Sequence, residues 1–180
     1  MVADPGMRIA APPPDPTAVQ LRHLVGTQVW GIRPLLAGYF EVVSTDPWMN
    51  RREALLSWWE TVSRRTTGIV LGGIVVRHDW PDKLVGFCAA EVQVDQTNRT
   101  RALMVYGAYV MPGYRSARLR DETLRALTGF ARTHGATYIG TLAARGPALA
   151  RWLGRGFRPL GRAEDHDYIA APIPHAGGVG

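Results

Sequence analysis

The chain is poor in cysteine, in lysine and in long apolar runs, and each shortage excludes a class of protein. Cys88 is the only cysteine among 180 residues, so the chain can form neither an internal disulfide nor a cysteine-based zinc site. The longest uninterrupted apolar run, GIVLGGIVV at 68–76, is far shorter than the roughly 20 residues that cross a bilayer. The N-terminal stretch lacks the basic-then-apolar pattern of a signal peptide. We therefore expect a soluble, cytoplasmic protein.

The positive charge of the chain is almost entirely arginine. Lys83 is the only lysine, while the formal net charge is +6 and the sequence pI is about 10.1. Arginine binds carboxylates and phosphates through a planar fork, so the composition favours an anionic ligand. The same bias also follows from the coding preference of a GC-rich genome, and both explanations stay open at this point. A hydrophobic content of 46% with 20% charged residues is typical of a globular domain.

The order of apolar periods and turn residues predicts one mixed α/β domain. Pro-rich stretches at 1–16 and 171–180 are typical of tails, which leaves 17–170 as the single domain. The predicted elements are a helix at 15–26, a strand at 27–33, helices at 34–43 and 50–65, strands at 67–79, 83–95 and 101–110, a helix at 116–133, a strand at 136–144, a helix at 146–156 and a hairpin at 157–171. A meander followed by a strand–helix–strand crossover fits this order.

One segment, VMPGYRSARLRDETLRALTGFA at 110–131, concentrates features of an anion site. An apolar strand breaks at Pro-Gly and leads into a helix whose first N–H groups have no intrahelical acceptor. The helix dipole adds partial positive charge there, and phosphate is a common occupant of such sites. Arg115, Arg118 and Arg120 would strengthen binding. Alternatively, these arginines face solvent and pair with Asp121 and Glu122.

The C-terminal half of the chain resembles the Gcn5-related N-acetyltransferase (GNAT) superfamily. In that family a strand ending in V-x-P-x-Y-R leads to a pyrophosphate-binding turn and a long helix, and YVMPGYRSARLR matches it at Val110, Pro112, Tyr114 and Arg115. The family's later helix and closing Gly-Phe are matched by RGPALARWLGRGF. The resemblance covers about 27–170 and implies a GNAT-like fold, with a mostly antiparallel twisted sheet splayed in the middle and about four flanking helices.

The resemblance also implies acetyl-CoA as co-substrate and an amine as acceptor, without a metal. The strand at 104–110 would part from the strand at 137–143, and its free backbone groups would pair with the pantetheine arm of CoA. The turn at 115–120 would hold the pyrophosphate. The cofactor-binding residues implied are Tyr109, Val110, Arg115, Ser116, Ala117, Arg118 and Arg120.

Three positions depart from the family pattern. Arg118 and Arg120 replace the two glycines of the phosphate turn, where glycine allows close approach of the backbone. Trp152 stands where the family has a tyrosine near the leaving thiolate, and an indole N–H cannot usefully donate a proton. Arg145 stands where the family has an asparagine. These departures suggest relaxed use of the acyl-CoA site.

No residue is assigned as catalytic. Glu91, on a central strand, could deprotonate an amine through water, but a solvent-facing strand glutamate explains it equally well. Tyr106 and Tyr109 border the expected cleft, where packing also accounts for them. The hairpin residues Asp165, His166 and Asp167 are of metal-ligand type, but consecutive positions in a turn point in different directions, so no metal site is predicted.

Two functions from different classes follow. The first is a GNAT-type N-acyltransferase that transfers an acetyl group from acetyl-CoA to an unidentified amine. The second is a non-catalytic GNAT-fold structural or binding protein of a larger assembly, such as a tailed-phage virion, in which protein partners would order both tails. Nucleic-acid binding is a weaker third idea, because the arginines do not interleave with aromatic residues.

Overall fold

A seven-stranded sheet is the centre of the fold. The computed structural model describes residues 15, 18–43, 52–77, 80–94, 99–144, 150, 152–163 and 166–173. The strands are β1 (Val19–His23), β2 (Gly68–Arg77), β3 (Trp80–Val94), β4 (Arg101–Val110), β5 (Tyr138–Ala144), β6 (Arg158–Ala163) and β7 (His166–Pro172). Their order across the sheet is β1-β2-β3-β4-β5-β7-β6, and of the neighbouring pairs in the described residues only β4 and β5 are parallel. The expected mixed α/β class with a mostly antiparallel sheet is confirmed.

Helices cover both faces of this sheet. They are a 3-10 helix (Gly26–Leu35), α1 (Leu36–Val43), α2 (Arg52–Arg64) and α3 (Ala117–Thr133), and a single 3-10 turn (Pro112–Tyr114) joins β4 to α3. On one face, α3 contributes Leu127 to a core with Leu71 and Cys88. On the other, the 3-10 helix, α1 and α2 pack against Val70 and Phe87. Successive side chains of a strand point to opposite faces, so burial on both faces explains the unbroken apolar run at 68–76.

The ends of α3 show why this segment is a helix. The Ser116 hydroxyl accepts the backbone N–H of Leu119 at 3.1 Å, which is an N-cap bond. The helix ends before Gly135, whose φ of +69° lies in the left-handed region that favours glycine. The helix predicted at 116–133 is therefore confirmed, with its cap and its stop.

The first two predicted elements are wrong. The helix expected at 15–26 is instead strand β1, and the strand expected at 27–33 lies within the 3-10 helix. Proline and glycine at 16 and 26 suggested helix ends, but Val19–His23 pairs antiparallel with β2, and this tertiary pairing decides its conformation. Gly26, with φ of +58°, begins the 3-10 helix instead of ending an α-helix.

The C-terminal boundaries differ slightly from the expected ones. The hairpin forms as β6 and β7, and β7 continues to Pro172, so residues 171 and 172 pair with β5 although they were assigned to the tail. Of the helix expected at 146–156, residues 150, 152 and 153 are helical, whereas 145–149 and 151 lie outside the described residues. Residues 1–14 and 174–180 lie outside them too, and the division into one domain with two tails stays a prediction.

Candidate functional site

The sheet splits between β4 and β5. The two strands pair only from Ala102 with Tyr138 to Val105 with Thr141, although β4 continues to Val110. At the fork, the Thr141 hydroxyl donates to the carbonyl oxygen of Val105 at 3.0 Å. A wedge therefore opens beyond Val105, and the predicted splay in the middle of the sheet is confirmed.

A β-bulge in β4 lies at the fork. Ala90 of β3 pairs with Val105 while Ala89 pairs with Gly107, so Tyr106 is an extra residue on β4. A bulge bends its strand and increases the local twist. The bend begins where pairing with β5 stops, and we attribute the divergence of the strands to it.

The bulge is packed from the side of α1 and α2. The Tyr39 hydroxyl lies 3.5 Å from the carbonyl oxygen of Tyr106 and donates to it. A Cβ on Gly107 would lie only 2.9 Å from the Trp59 ring, so glycine is needed for this approach of α2 to the strand. The backbone at the fork is thus fixed by side chains that are themselves buried.

A cavity of about 480 Å³ occupies the wedge and continues beneath α3. Ala108 and Leu127 line it on the α3 face of the sheet, and Tyr109 and Val42 line it on the α1 face. Because both faces contribute, the cavity passes through the split sheet. Two molecules approaching from opposite faces could therefore meet at the fork.

Six of the seven residues that the sequence assigned to cofactor binding line this cavity. They are Tyr109, Val110, Arg115, Ser116, Ala117 and Arg120. Arg115 donates its Nε–H to the carbonyl oxygen of Val110 at 2.9 Å, which leaves the two terminal amino groups outside that bond. Arg120 pairs with Asp121 at 2.8 Å, and both side chains are exposed.

Arg118 points elsewhere. Its guanidinium donates to the carbonyl oxygen of Val19 on β1 at 2.8 Å, and it lies 3.6 Å from the carboxylate of Glu122. The side chain lines a second, more open hollow beside β1 and does not line the cavity in the wedge. The structure therefore brings Arg115 and Arg120 to the cavity but not the Arg118 guanidinium.

The lining of the cavity also includes aromatic side chains and a further arginine. Trp152 packs edge-on against Phe157 with ring centroids 4.8 Å apart. The Arg155 guanidinium lies 5.8 Å from the centroid of the Trp152 ring, a cation–π contact. All three line the cavity. Trp152 thus lies at the site, as the resemblance implied, but it offers no acidic hydroxyl there.

Glu91 is buried, which contradicts the solvent-facing interpretation. It is 7% exposed, accepts from Arg65 at 2.9 Å and from the Tyr106 hydroxyl at 3.4 Å, and lies outside the cavity lining. Burial and the Glu91 charge raise the pKa of Tyr106 to about 12, so this phenol stays neutral near pH 7. The ion pair with Arg65 compensates the Glu91 charge.

Some residues considered from sequence lie outside the description. They are Arg145 and Asp165. In the described part of the chain, no three His, Cys, Asp or Glu side chains come together as a metal-binding cluster. No helix there is long and apolar enough to span a bilayer.

Sequence reasoning missed Arg155 and the small residues beneath α3. Gly73 and Gly86 face each other on β2 and β3 and line the cavity. A glycine inside a strand pattern often marks a place where a ligand or another backbone comes close, so the signal was present in GIVLGGIVV and LVGFCAAEV. Arg155, in contrast, carries no such signal, because its position depends on how the chain returns after β5.

Comparison with known proteins agrees at the level of fold. No protein-family model and no curated protein sequence matches the chain. Among solved structures, PaiA N-acetyltransferase from Thermoplasma acidophilum in complex with coenzyme A is 12% identical, with a TM-score of 0.65, covering 86% of this chain and 98% of that one. An acetyltransferase from Streptococcus agalactiae is 13% identical, with a TM-score of 0.63 and coverage of 87% and 99%.

A third neighbour is Arabidopsis thaliana NAA60 in complex with a bisubstrate analogue, at 9% identity, a TM-score of 0.60 and coverage of 86% and 98%. Almost the whole length of each neighbour is matched, so the shared unit is the entire domain. The chain has the GNAT fold. Identities this low establish the GNAT fold only, and the reaction has to be argued from the site.

Proposed function

We propose that this GNAT-fold protein is an N-acyltransferase that uses acetyl-CoA. The observation that carries the proposal is the split between β4 and β5, which opens into a cavity lined from both faces of the sheet. The cavity mouth combines the N-terminus of α3 with Arg115 and Arg120, a set of donors suited to a diphosphate. The unpaired edge of β4 beyond Val105 suits the amide groups of the pantetheine arm.

In the proposed reaction, the donor enters from the α3 face and the amine from the α1 face. The amine nitrogen attacks the thioester carbonyl, the new C–N bond replaces the C–S bond, and the amine proton passes to the departing CoA thiolate, which leaves as the free thiol. The protein's part is to hold both molecules at the fork, since positioning alone can lower the barrier substantially. We assign no side chain as acid or base.

Titration of the protein with acetyl-CoA by calorimetry tests the binding step. We expect micromolar affinity, reduced about tenfold or more in Arg115→Ala because a charge-assisted bond to the diphosphate is lost. Arg162→Ala on β6 is the matched control, because this exposed arginine lies outside the cavity lining, and its affinity should equal that of the wild type. Absence of binding at millimolar acetyl-CoA to correctly folded protein would contradict the proposal.

A second candidate is a non-catalytic binding module of the same fold. Trp152 favours it, because the cavity has an indole where a proton-donating phenol stands in the family pattern. Transfer assays with a panel of primary amines separate the two: binding without acyl transfer to any amine supports the module. The comparisons lend no support to a place in a virion.

A further inference from the structure

On the side of α1 and α2, the second half of the sheet has no helical cover among the described residues. The core on that side includes residues of the 3-10 helix, α1, α2, β2 and β3, but none of β5, β6 or β7. Leu142 of β5 is 57% exposed, and Trp58 of α2 is 38% exposed. Exposed apolar side chains that cluster on one surface mark a place where another molecule binds, so we ask which residues share this surface.

The alternation of side chains along the strands assigns three residues to this surface. Ile169 of β7 points into the core beneath α3, so its neighbour Tyr168 points to the α2 side. Leu142 pairs with Tyr168 across β5 and β7 and points the same way. On β4, Leu103 belongs to the core beneath α3, so Met104 also points to the α2 side.

The surface continues to the fork between β4 and β5. The Tyr106 ring packs against Trp58, with ring centroids 4.4 Å apart. Tyr106 and Leu142 are the first residues of their strands beyond the last pair, Val105 with Thr141. The surface therefore meets the fork on the side from which the amine enters in the proposed reaction. We call it the aromatic face, and its members are Trp58, Met104, Tyr106, Leu142 and Tyr168.

The two tyrosines of the aromatic face have their hydroxyls bonded within the protein. The Tyr106 hydroxyl donates to the Glu91 carboxylate at 3.4 Å, and the Tyr168 hydroxyl donates to Sδ of Met104 at 3.3 Å. A Cβ on Gly140 would lie 2.8 Å from the Tyr168 hydroxyl oxygen and 3.2 Å from its ring carbon Cε2, so glycine lets this side chain lie across the sheet. The face thus offers ring surface, on which another aromatic ring can stack.

The strands of the aromatic face offer little negative charge. β4, β5 and β6 contain no aspartate or glutamate. Asp167 of β7 pairs with Ala143, which belongs to the core beneath α3, so Asp167 points to the other side of the sheet. Glu91, beside Tyr106, is paired with Arg65 at 2.9 Å. With a formal net charge of +6 on the chain, this side suits an apolar acceptor better than a polycation.

We propose that the acceptor is a primary amine attached to an aromatic ring, and that the ring binds on the aromatic face while the amine nitrogen reaches the fork. This inference rests on the proposed function and names the class of its acceptor. A short alkyl linker between ring and nitrogen is sufficient, because Tyr106 and Leu142 flank the fork. Burial of the ring against apolar side chains supplies the affinity.

Transfer assays with acetyl-CoA and four amines test the inference. The amines are 2-phenylethylamine, tryptamine, n-propylamine and spermidine, and the release of CoA thiol is measured. We expect kcat/KM for both aromatic amines to exceed that for n-propylamine about tenfold or more, because each ring buries apolar surface that the propyl chain lacks. Spermidine should be the poorest acceptor. Calorimetric titration of the same amines into protein saturated with CoA should give the same order for binding alone.

Substitutions on the aromatic face locate the ring. We expect Tyr168→Ala to reduce the preference for 2-phenylethylamine over n-propylamine about tenfold, whereas Tyr168→Phe, which keeps the ring, should retain the preference within about twofold. Leu142→Asp exchanges an apolar contact for a carboxylate, so the ratio of kcat/KM for 2-phenylethylamine to that for spermidine should fall about tenfold or more.

The matched control is Val94→Asp. Val94 is 49% exposed, and Val92, two residues before it on β3, belongs to the core beneath α3, so Val94 points away from the aromatic face. This variant should leave the order of the amines unchanged. In all four variants acetyl-CoA affinity should stay within about twofold of wild type, since none of these residues lines the cavity. Circular dichroism melts confirm that each variant is folded.

The outcomes separate this inference from the proposed function. If acetyl-CoA binds but n-propylamine or spermidine is acetylated as efficiently as the aromatic amines, or no amine binds, the inference is overturned while acetyl-CoA binding stands. If acetyl-CoA does not bind, both fail. If aromatic amines are preferred but neither Tyr168→Ala nor Leu142→Asp reduces the preference, the ring binds elsewhere and the inference is overturned.

Sedimentation velocity tests a different occupant of the aromatic face, namely a second copy of the chain. We expect a monomer, or an oligomer that Leu142→Asp leaves intact. A dimer that Leu142→Asp dissociates would mean that the partner copy covers the face, and this result would overturn the inference.

Discussion

Individual arginines near the start of α3 have different partners despite their proximity in sequence. Arg115 bonds the end of β4 at the cavity mouth, whereas Arg118 bonds the carbonyl oxygen of Val19 and so ties α3 to β1. The concentration of arginine at this helix start was visible in the sequence. The direction of each side chain was not, because it depends on β1, which folds back beside α3 from a distant part of the chain.

This difference predicts opposite phenotypes for two similar substitutions. We expect Arg118→Ala to lower the free energy of unfolding by about 1 kcal/mol, since a hydrogen bond between a charged donor and a backbone carbonyl is lost at a half-exposed site. Its acetyl-CoA affinity should change less than twofold. Arg115→Ala should instead weaken the binding of acetyl-CoA about tenfold or more and leave the free energy of unfolding close to that of the wild type. Urea denaturation and calorimetry on both variants measure the two quantities, and a tenfold loss of affinity in Arg118→Ala would show that this guanidinium reaches the ligand after all.

At the scale of elements, sequence patterns predicted a helix or strand correctly where its own apolar periodicity, or a capping residue at its end, determines the structure. Helix α3 has its Ser116 cap and Gly135 stop, and β4 was predicted with its observed ends. The patterns failed at β1, which is short and exposed on most of its residues. Its conformation is decided by pairing with β2, and local residue preference carries little information about such an edge strand.

The contact between α2 and β2 depends on one glycine. A Cβ on Gly68 would lie 1.9 Å from the carbonyl oxygen of Val62, a backbone atom that a side-chain rotation cannot move away. We therefore expect Gly68→Ala to lower the free energy of unfolding by about 3 kcal/mol as the end of α2 is displaced. The matched substitution is Gly129→Ala in α3, where the space is open and alanine favours the helix by up to about 1 kcal/mol.

Chemical denaturation of the two alanine variants measures both effects. Gly68→Ala should lower the free energy of unfolding and Gly129→Ala should raise it. Because both variants replace glycine with alanine, a general effect of that replacement cannot explain a difference in sign. Equal stability of Gly68→Ala and wild type would mean that α2 does not pack on β2 as closely as the structure has it.

At the scale of the whole molecule, the resemblance to the GNAT pattern led to the correct fold class, although the first two elements were assigned wrongly. The splay between β4 and β5 followed from that resemblance and not from any periodicity, since it arises from a bulge at Tyr106 that no local pattern marks. The cavity that passes through the split sheet was out of reach for the same reason, because strands and helices far apart in the sequence contribute its lining.

The distribution of charge across the molecule bears on how the proposed ligand is held. Arg115 and Arg120 line the cavity and would act on the phosphates of CoA through water, where salt screens charges over about 10 Å at 0.1 M and about 3 Å at 1 M. We therefore expect acetyl-CoA affinity to fall roughly tenfold between 50 and 500 mM NaCl. Calorimetry at four salt concentrations measures this fall. An affinity that did not change with salt would mean that the two arginines do not hold the phosphates.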